Sequence, residues 1–188
     1  MCGIVGYVNF SNNSIFENEL DHAIASLSHR GPNNKGKVFV KEKSNVGFGH
    51  TRLSIIDTTK AGNQPMQSFS GRHIIIFNGE IYNHKNLRNN IEKTHGFSNW
   101  LGSSDTETFI NLIELEGIEN ALKMSLGMFS FVVYDRKLNQ LHLARDRMGE
   151  KPLYFFLNPK CLLFGSELKA LMQFKAFDKK IFMPSLAT

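Results

Sequence analysis

The sequence lacks any uninterrupted apolar run of the roughly 18 residues that a membrane-crossing helix requires, and its N-terminus lacks the basic-then-apolar layout of a secretory signal. Neither a membrane span nor export is expected, and the reading is a soluble, cytoplasmic chain. Cysteine is scarce: Cys2 and Cys161 are the only two, too few for a disulfide framework in a chain of this size. Cys161 opens the apolar run Cys161-Leu162-Leu163-Phe164 and reads as a small core hydrophobe. Also missing are the P-loop, the dinucleotide glycine fingerprint, the G-x-S-x-G elbow and C-x-x-C, which removes support from ATP, dinucleotide and serine-hydrolase chemistry. Seven histidines are scattered without metal-ligand spacing; satisfied or exposed side chains are expected. Charge is modest at +5. The cluster Lys169, Lys175, Lys179 and Lys180 reads as a solvated face, and without a groove-reading motif a nucleic-acid partner is not expected.

What is present suits one folded domain over residues 1–188, with 41% hydrophobic residues to build a core. Residues 3–9 read as a first strand, and Glu17 to Ser28 as a helix with Leu20, Ile24 and Leu27 on one face. Ser104 and Glu107 form a capping box ahead of Phe109, Leu112 and Ile113, with Asp105 in the first helical turn. Further strands are predicted over Val46–Ile56, His73–Phe77, Met128–Tyr134, Gln140–Ala144, Leu153–Leu157 and Cys161–Phe164, with loops at 57–72 and 96–104. Runs such as Ile74-Ile75-Ile76-Phe77 and Leu153 to Leu157 lack in-and-out alternation, so both faces of those strands should be covered. A three-layer α/β fold and two packed sheets flanked by helices both satisfy this. The tight connection from Asp135 to Gln140 implies antiparallel pairing, which favours an α+β, four-layer αββα sandwich of two mainly antiparallel sheets.

Several residues are candidates for chemistry. A small penultimate residue normally permits removal of Met1, leaving Cys2 with its own α-amine. Thiol and amine have reference pKa values of about 8.5 and about 7.7–8.0, so one residue would supply both nucleophile and base. Asn78-Gly79 is a strong hairpin-turn signal; it is equally a candidate oxyanion hole, built from the Asn78 amide and the Gly79 N–H. Arg52 interrupts an apolar stretch, where its fork should reach solvent or bind an anion such as a carboxylate. Glu80 and Asp105 would together suit an ammonium group.

In combination, Met1-Cys2-Gly3-Ile4-Val5-Gly6, His29-Arg30-Gly31-Pro32, the run His50 to Asp57, Asn78-Gly79-Glu80-Ile81-Tyr82-Asn83 and Ser104-Asp105-Thr106-Glu107 resemble class II glutamine amidotransferases, the N-terminal-nucleophile family. Arg52-Leu53-Ser54-Ile55, the block Arg145 to Tyr154 and Ser166 to Leu171 look like the glutaminase half of glutamine-hydrolysing asparagine synthetase. The resemblance runs from Met1 to about Leu171. It implies that Cys2 is the nucleophile, that Asn78 and Gly79 are oxyanion donors, and that Arg52 binds the carboxylate of L-glutamine. It also implies that Leu53, Ser54, Ile55 and Ile56 form a strand edge along the substrate, with Glu80 and Asp105 near its ammonium. Asn33-Asn34-Lys35 departs from the family's usual Asp-x-x-Gly, with Gly36 retained, and reads as a tuned loop. Asparagine synthetases continue into a domain whose Ser-Gly-Gly-x-Asp-Ser loop serves ATP and Mg; that loop is not in this sequence. No cofactor is therefore expected for this domain, residues 172–188 read as the start of a linker, and the ammonia acceptor is expected to be a synthetase domain or partner chain. The rival reading is a catalytically weak glutamine-binding or interaction module.

Overall fold

The computed structural model describes residues 1–11, 16–41 and 45–180. Among them, β1 (Gly3–Asn9), β2 (Asn34–Val40), β3 (Asn45–Arg52), β8 (Tyr154–Leu157) and β9 (Cys161–Gly165) form a first sheet in the order β2-β3-β1-β9-β8. A second sheet has the order β4-β5-β6-β7, from β4 (Met66–Gln67), β5 (His73–Ile81), β6 (Gly127–Asp135) and β7 (Gln140–Arg145). Every neighbouring pair is antiparallel.

Three apolar clusters mark three interlayers. Ile4, Phe48, Ile74, Ile76, Val132 and Phe164 fill the space between the sheets. Val5, Leu163 and Leu171 pack with Leu20, Ala23 and Ile24 of α1 (Glu17–Ser26) on the outside of the first sheet. Outside the second sheet, Phe77 and Phe131 meet α2 (His84–His95), α3 (Asp105–Glu116) and α4 (Ile118–Met124). The result is the four-layer sandwich, and the all-antiparallel pairing excludes the three-layer alternative. Helix α3 starts as its capping signal implies, with Ser104 Oγ accepting the Glu107 N–H at 3.1 Å. Glu107 does not complete the box. Its carboxylate instead accepts the N–H groups of Leu101 at 2.6 Å and Gly102 at 3.0 Å, tying the preceding loop to the helix. Burial of Phe109, Ile110, Leu112 and Ile113 contributes roughly 1.5–3 kcal/mol per side chain. Packing therefore outweighs the ~1 kcal/mol typical of a cap.

Several expectations are corrected. Strand β3 ends at Arg52, so Leu53, Ser54, Ile55 and Ile56 leave the sheet, and Ile55 is 69% exposed. Asn78-Gly79 is no turn: β5 continues through both residues, which lie opposite Ser130 and Phe129 of β6. The run Leu153 to Leu157 is not covered on both faces. Strand β8 is a sheet edge; Phe155 lies opposite the core residue Phe164, yet the narrower second sheet leaves it 67% exposed. Asn34 and Lys35 belong to β2 rather than to a loop. The predicted loop 57–72 holds β4 and a single 3₁₀ turn at Lys60–Gly62. Strand β2 and helices α2 and α4 were not anticipated; α2 buries only Leu87 and Ile91, too sparse a stripe to register. Of the reading of 172–188 as a linker, residues 181–188 lie outside the described residues. Cys161 is fully buried, as expected of a core hydrophobe.

Candidate active site

Side chains alternate across a strand, so residues two apart face the same layer. Ile4, Phe48 and Ile76 face the space between the sheets. Cys2 precedes Ile4 by two positions, His50 and Arg52 continue the Phe48 face, and Asn78 and Glu80 continue the Ile76 face. A thiol from the first sheet and a carboxamide from the second thus converge at one end of the sandwich. They line a common cavity of about 120 Å³. Every sequence-predicted site residue lines this cavity except Ser54, whose N–H is donated to Asn33 Oδ1 at 3.0 Å.

The wall contributed by β5 follows from its pairing. β5 pairs with β6 along its whole length, whereas β4 covers only Ile74 and Ile75. In an antiparallel strand alternate residues turn both backbone groups to the same edge. At the uncovered edge the Phe77 N–H is donated to Gln64 Oε1 at 2.6 Å and the Ile81 N–H to Asp105 Oδ2 at 2.9 Å. The same alternation turns the Gly79 N–H, midway between them, to this edge, where no described residue accepts it. Beside it, both polar atoms of the Asn78 side chain are buried without a partner among the described residues, and Asn78 is 1% exposed. An unsatisfied buried polar group costs about 1–3 kcal/mol, so a pair of them on a cavity wall is a mark of function. Position 79 admits only glycine, because a Cβ there would lie 2.2 Å from the Met128 carbonyl oxygen.

The half-buried Cys2 Sγ accepts the Leu53 N–H at 3.4 Å. Burial pushes the thiol up, opposed by that N–H, by the Met1 terminal ammonium and by Arg52. The Cys2 carbonyl accepts Arg30 Nε at 2.9 Å, and Arg30 Nη1 also reaches Glu167 Oε1 at 3.0 Å. Arg52 is 6% exposed. It donates to Thr59 O at 2.6 Å, to Asn63 Oδ1 at 2.8 Å and to the Asp57 carbonyl, using three of the guanidinium's five N–H groups. Gly62 packs directly against it, since a Cβ there would lie 2.1 Å from Nη2. Asp105 takes the Ile81 N–H on one oxygen and the Thr106 N–H on the other; burial pushes its carboxyl up and those two donors pull it back. The partly buried Glu80 lines the cavity beside it.

Sequence reasoning did not single out Gln64, Thr106, Met128 or Lys151, all of which line the cavity. Gln64 sits in a stretch with no periodic signal. Lys151 falls inside the Arg145 to Tyr154 block, but nothing local announces that its ammonium, on a residue only 8% exposed, lies 3.4 Å from Met1 Sδ. Among the described residues no group of three or more His, Cys, Asp or Glu is arranged to hold a metal ion.

A family model described as a glutamine amidotransferase domain matches residues 1–188. The chain is 33% identical over 198 residues to a putative glutamine-hydrolysing asparagine synthetase 2 of Methanocaldococcus jannaschii, covering 96% of this chain and 36% of that one. It is 38% identical over 176 residues to the glutamine-hydrolysing asparagine synthetase 3 of Bacillus subtilis, covering 92% and 27%. The chain therefore spans only about a third of the length of these relatives. Among solved structures, the glutamine phosphoribosylpyrophosphate amidotransferase of B. subtilis superposes with a TM-score of 0.72 at 22% identity, over 91% of this chain and 43% of that one.

Proposed function

The chain belongs to the glutamine amidotransferase domain family, and from that premise we propose that it hydrolyses the side-chain amide of L-glutamine to glutamate and ammonia at the cavity between its two sheets. One observation carries the reading: the Cys2 thiol shares a cavity with an unpartnered, buried Asn78 carboxamide and the open N–H edge at Gly79. In the Met1-free chain the Cys2 α-amine takes the thiol proton, and Sγ attacks the amide carbon. The oxygen that becomes negative lies between Asn78 Nδ2 and the Gly79 N–H. The intermediate collapses as the protonated amine returns its proton to the departing nitrogen, releasing ammonia and leaving a thioester. Water, giving its proton to the same amine, attacks the thioester through a second oxyanion in the same place; glutamate leaves and the thiol is restored.

Substrate orientation follows from charge. The α-carboxylate goes to the Arg52 donors that the loop carbonyls leave unused, and the α-ammonium to Glu80 and Asp105, with Leu53, Ile55 and Ile56 along the chain of the substrate. We further propose that the ammonia feeds asparagine synthesis on a synthetase domain or partner chain, where ATP and Mg would be used. Ammonia and glutamate release by Met1-free protein tests the reading. The Cys2→Ala variant is expected to show no turnover above the uncatalysed rate; undiminished turnover would refute the mechanism.

A further inference from the structure

We propose that His50 is a positioning residue for the oxyanion donors, holding the Phe77–Asn78 peptide from the opposite sheet so that Asn78 and Gly79 stay aimed into the cavity. This rests on the reading that those two residues hold the oxyanion.

The need arises from the shortness of β4. Opposite Ile75 the edge of β5 is covered by Met66, but two residues on, at Phe77, no strand among the described residues is there. Phe77 would present a bare N–H and a bare carbonyl, and an unpaired strand edge next to a cavity is free to twist. Two side chains take the place of the absent strand. Gln64 Oε1 accepts the N–H at 2.6 Å while its Nε2 is anchored on Thr106 Oγ1 at 3.3 Å. His50 Nε2 meets the Phe77 carbonyl at 3.1 Å. A carbonyl only accepts, so Nε2 carries the proton and Nδ1 is the bare acceptor. That carbonyl belongs to the same rigid peptide plane as the Asn78 nitrogen. Rotation about the Asn78 N–Cα bond, which starts from that plane, would swing the Asn78 carboxamide and the Gly79 N–H together. On its other side the plane is held by the pairing of Asn78 with Ser130.

His50 gives this contact and little else. It is fully buried, and its Nδ1 has no partner among the described residues. A residue placed only to fill the inter-sheet core would be apolar, as its neighbours Ile4, Phe48 and Ile76 are; the unmet Nδ1 is a cost that such a residue would avoid. Burial, ahead of the Phe77 carbonyl's opposing effect and the repulsion of Arg52, lowers its pKa to about 4. The imidazole is therefore neutral at pH 7, with one donor.

The test compares Met1-free parent with H50Q, H50N and H50L. The glutamine amide nitrogen reaches where Nε2 lies and keeps the donor; asparagine is too short and leucine has none. H50N and H50L are expected to lower kcat by about tenfold or more, a share of the roughly 10²–10³ carried by one oxyanion donor, with KM within about twofold. H50Q should recover most of the turnover. Alkylation of Cys2 by iodoacetamide should be unchanged in all three, because the nucleophile is untouched. Folded H50N or H50L with parental kcat, a loss carried mainly by KM, or slowed alkylation in step with kcat would overturn the proposal. An inactive parent would refute the glutaminase reading and this inference with it; an active parent with unimpaired variants refutes the inference alone.

Discussion

At the scale of single residues the candidate site joins groups whose chemical type is suggestive with others that only placement brings into reach. Cys2 pairs a thiol with a potential α-amine, a combination that points to chemistry only in company with the motifs around it. Asn78 and Gly79 are less distinctive, because the same dipeptide is the best short signal for a hairpin turn; their position on an uncovered strand edge supports the proposed donor role. The two should respond differently to substitution. Asn78→Ala removes the proposed oxyanion donor; the fold is expected to stay intact while kcat for glutamine hydrolysis falls on the order of 10²–10³-fold with KM little changed. Gly79→Ala forces a methyl group against the Met128 carbonyl, 2.2 Å away, and β5 must move off β6. Both turnover and the urea unfolding midpoint should fall for Gly79→Ala, whereas only turnover should fall for Asn78→Ala.

Among the elements, legibility followed apolar density. α3 was readable from a cap and a buried face together, and β6–β7 from a short polar connection between two apolar runs. Helix α2 was not, because ten of its residues are neither Leu87 nor Ile91 and its ending is set by Gly96 at φ 63°, a signal seen only once the helix is known. Ser104→Ala should cost about 1 kcal/mol of stability, as loss of an N-cap usually does, read as a lower urea midpoint at unchanged m-value. Since Asp105 and Thr106 follow that cap and hold the open edge of β5, the same substitution should also lower turnover. Equal stability loss from Thr94→Ala, on an exposed helix end, would show the cap to be unimportant.

Over the whole molecule, stability should depend on pH in two windows. His50 has its pKa lowered to about 4 in the folded protein against about 6.5 unfolded. Below about pH 6.5 the unfolded chain takes up a proton that the folded one refuses, so stability is lost as pH falls towards 4; H50Q should flatten that part of the curve. Asp57, held at about 2 by the Thr59 hydroxyl and the Ser103 N–H, and Asp135, which burial pushes up but Arg72 draws down to about 2, act lower. Their contribution is complete above about pH 4 and disappears as pH falls towards 2. Denaturant titrations at a series of pH values would separate the windows. The sequence by itself favoured the four-layer arrangement, because buried apolar runs such as Ile74 to Phe77 need cover on both faces and the short polar connection from Asp135 to Gln140 implies antiparallel pairing. Through the resemblance they carry, it also pointed to Cys2 and to the polar residues that meet at the cavity. Tertiary structure alone decided that β3 stops at Arg52, that Phe155 is left uncovered at a sheet edge, and that His50 and Gln64 meet the open edge of β5 at Phe77. The physical reason is common to these cases: each depends on where a neighbouring strand ends, and strand length and register are fixed by contacts between residues far apart in the chain.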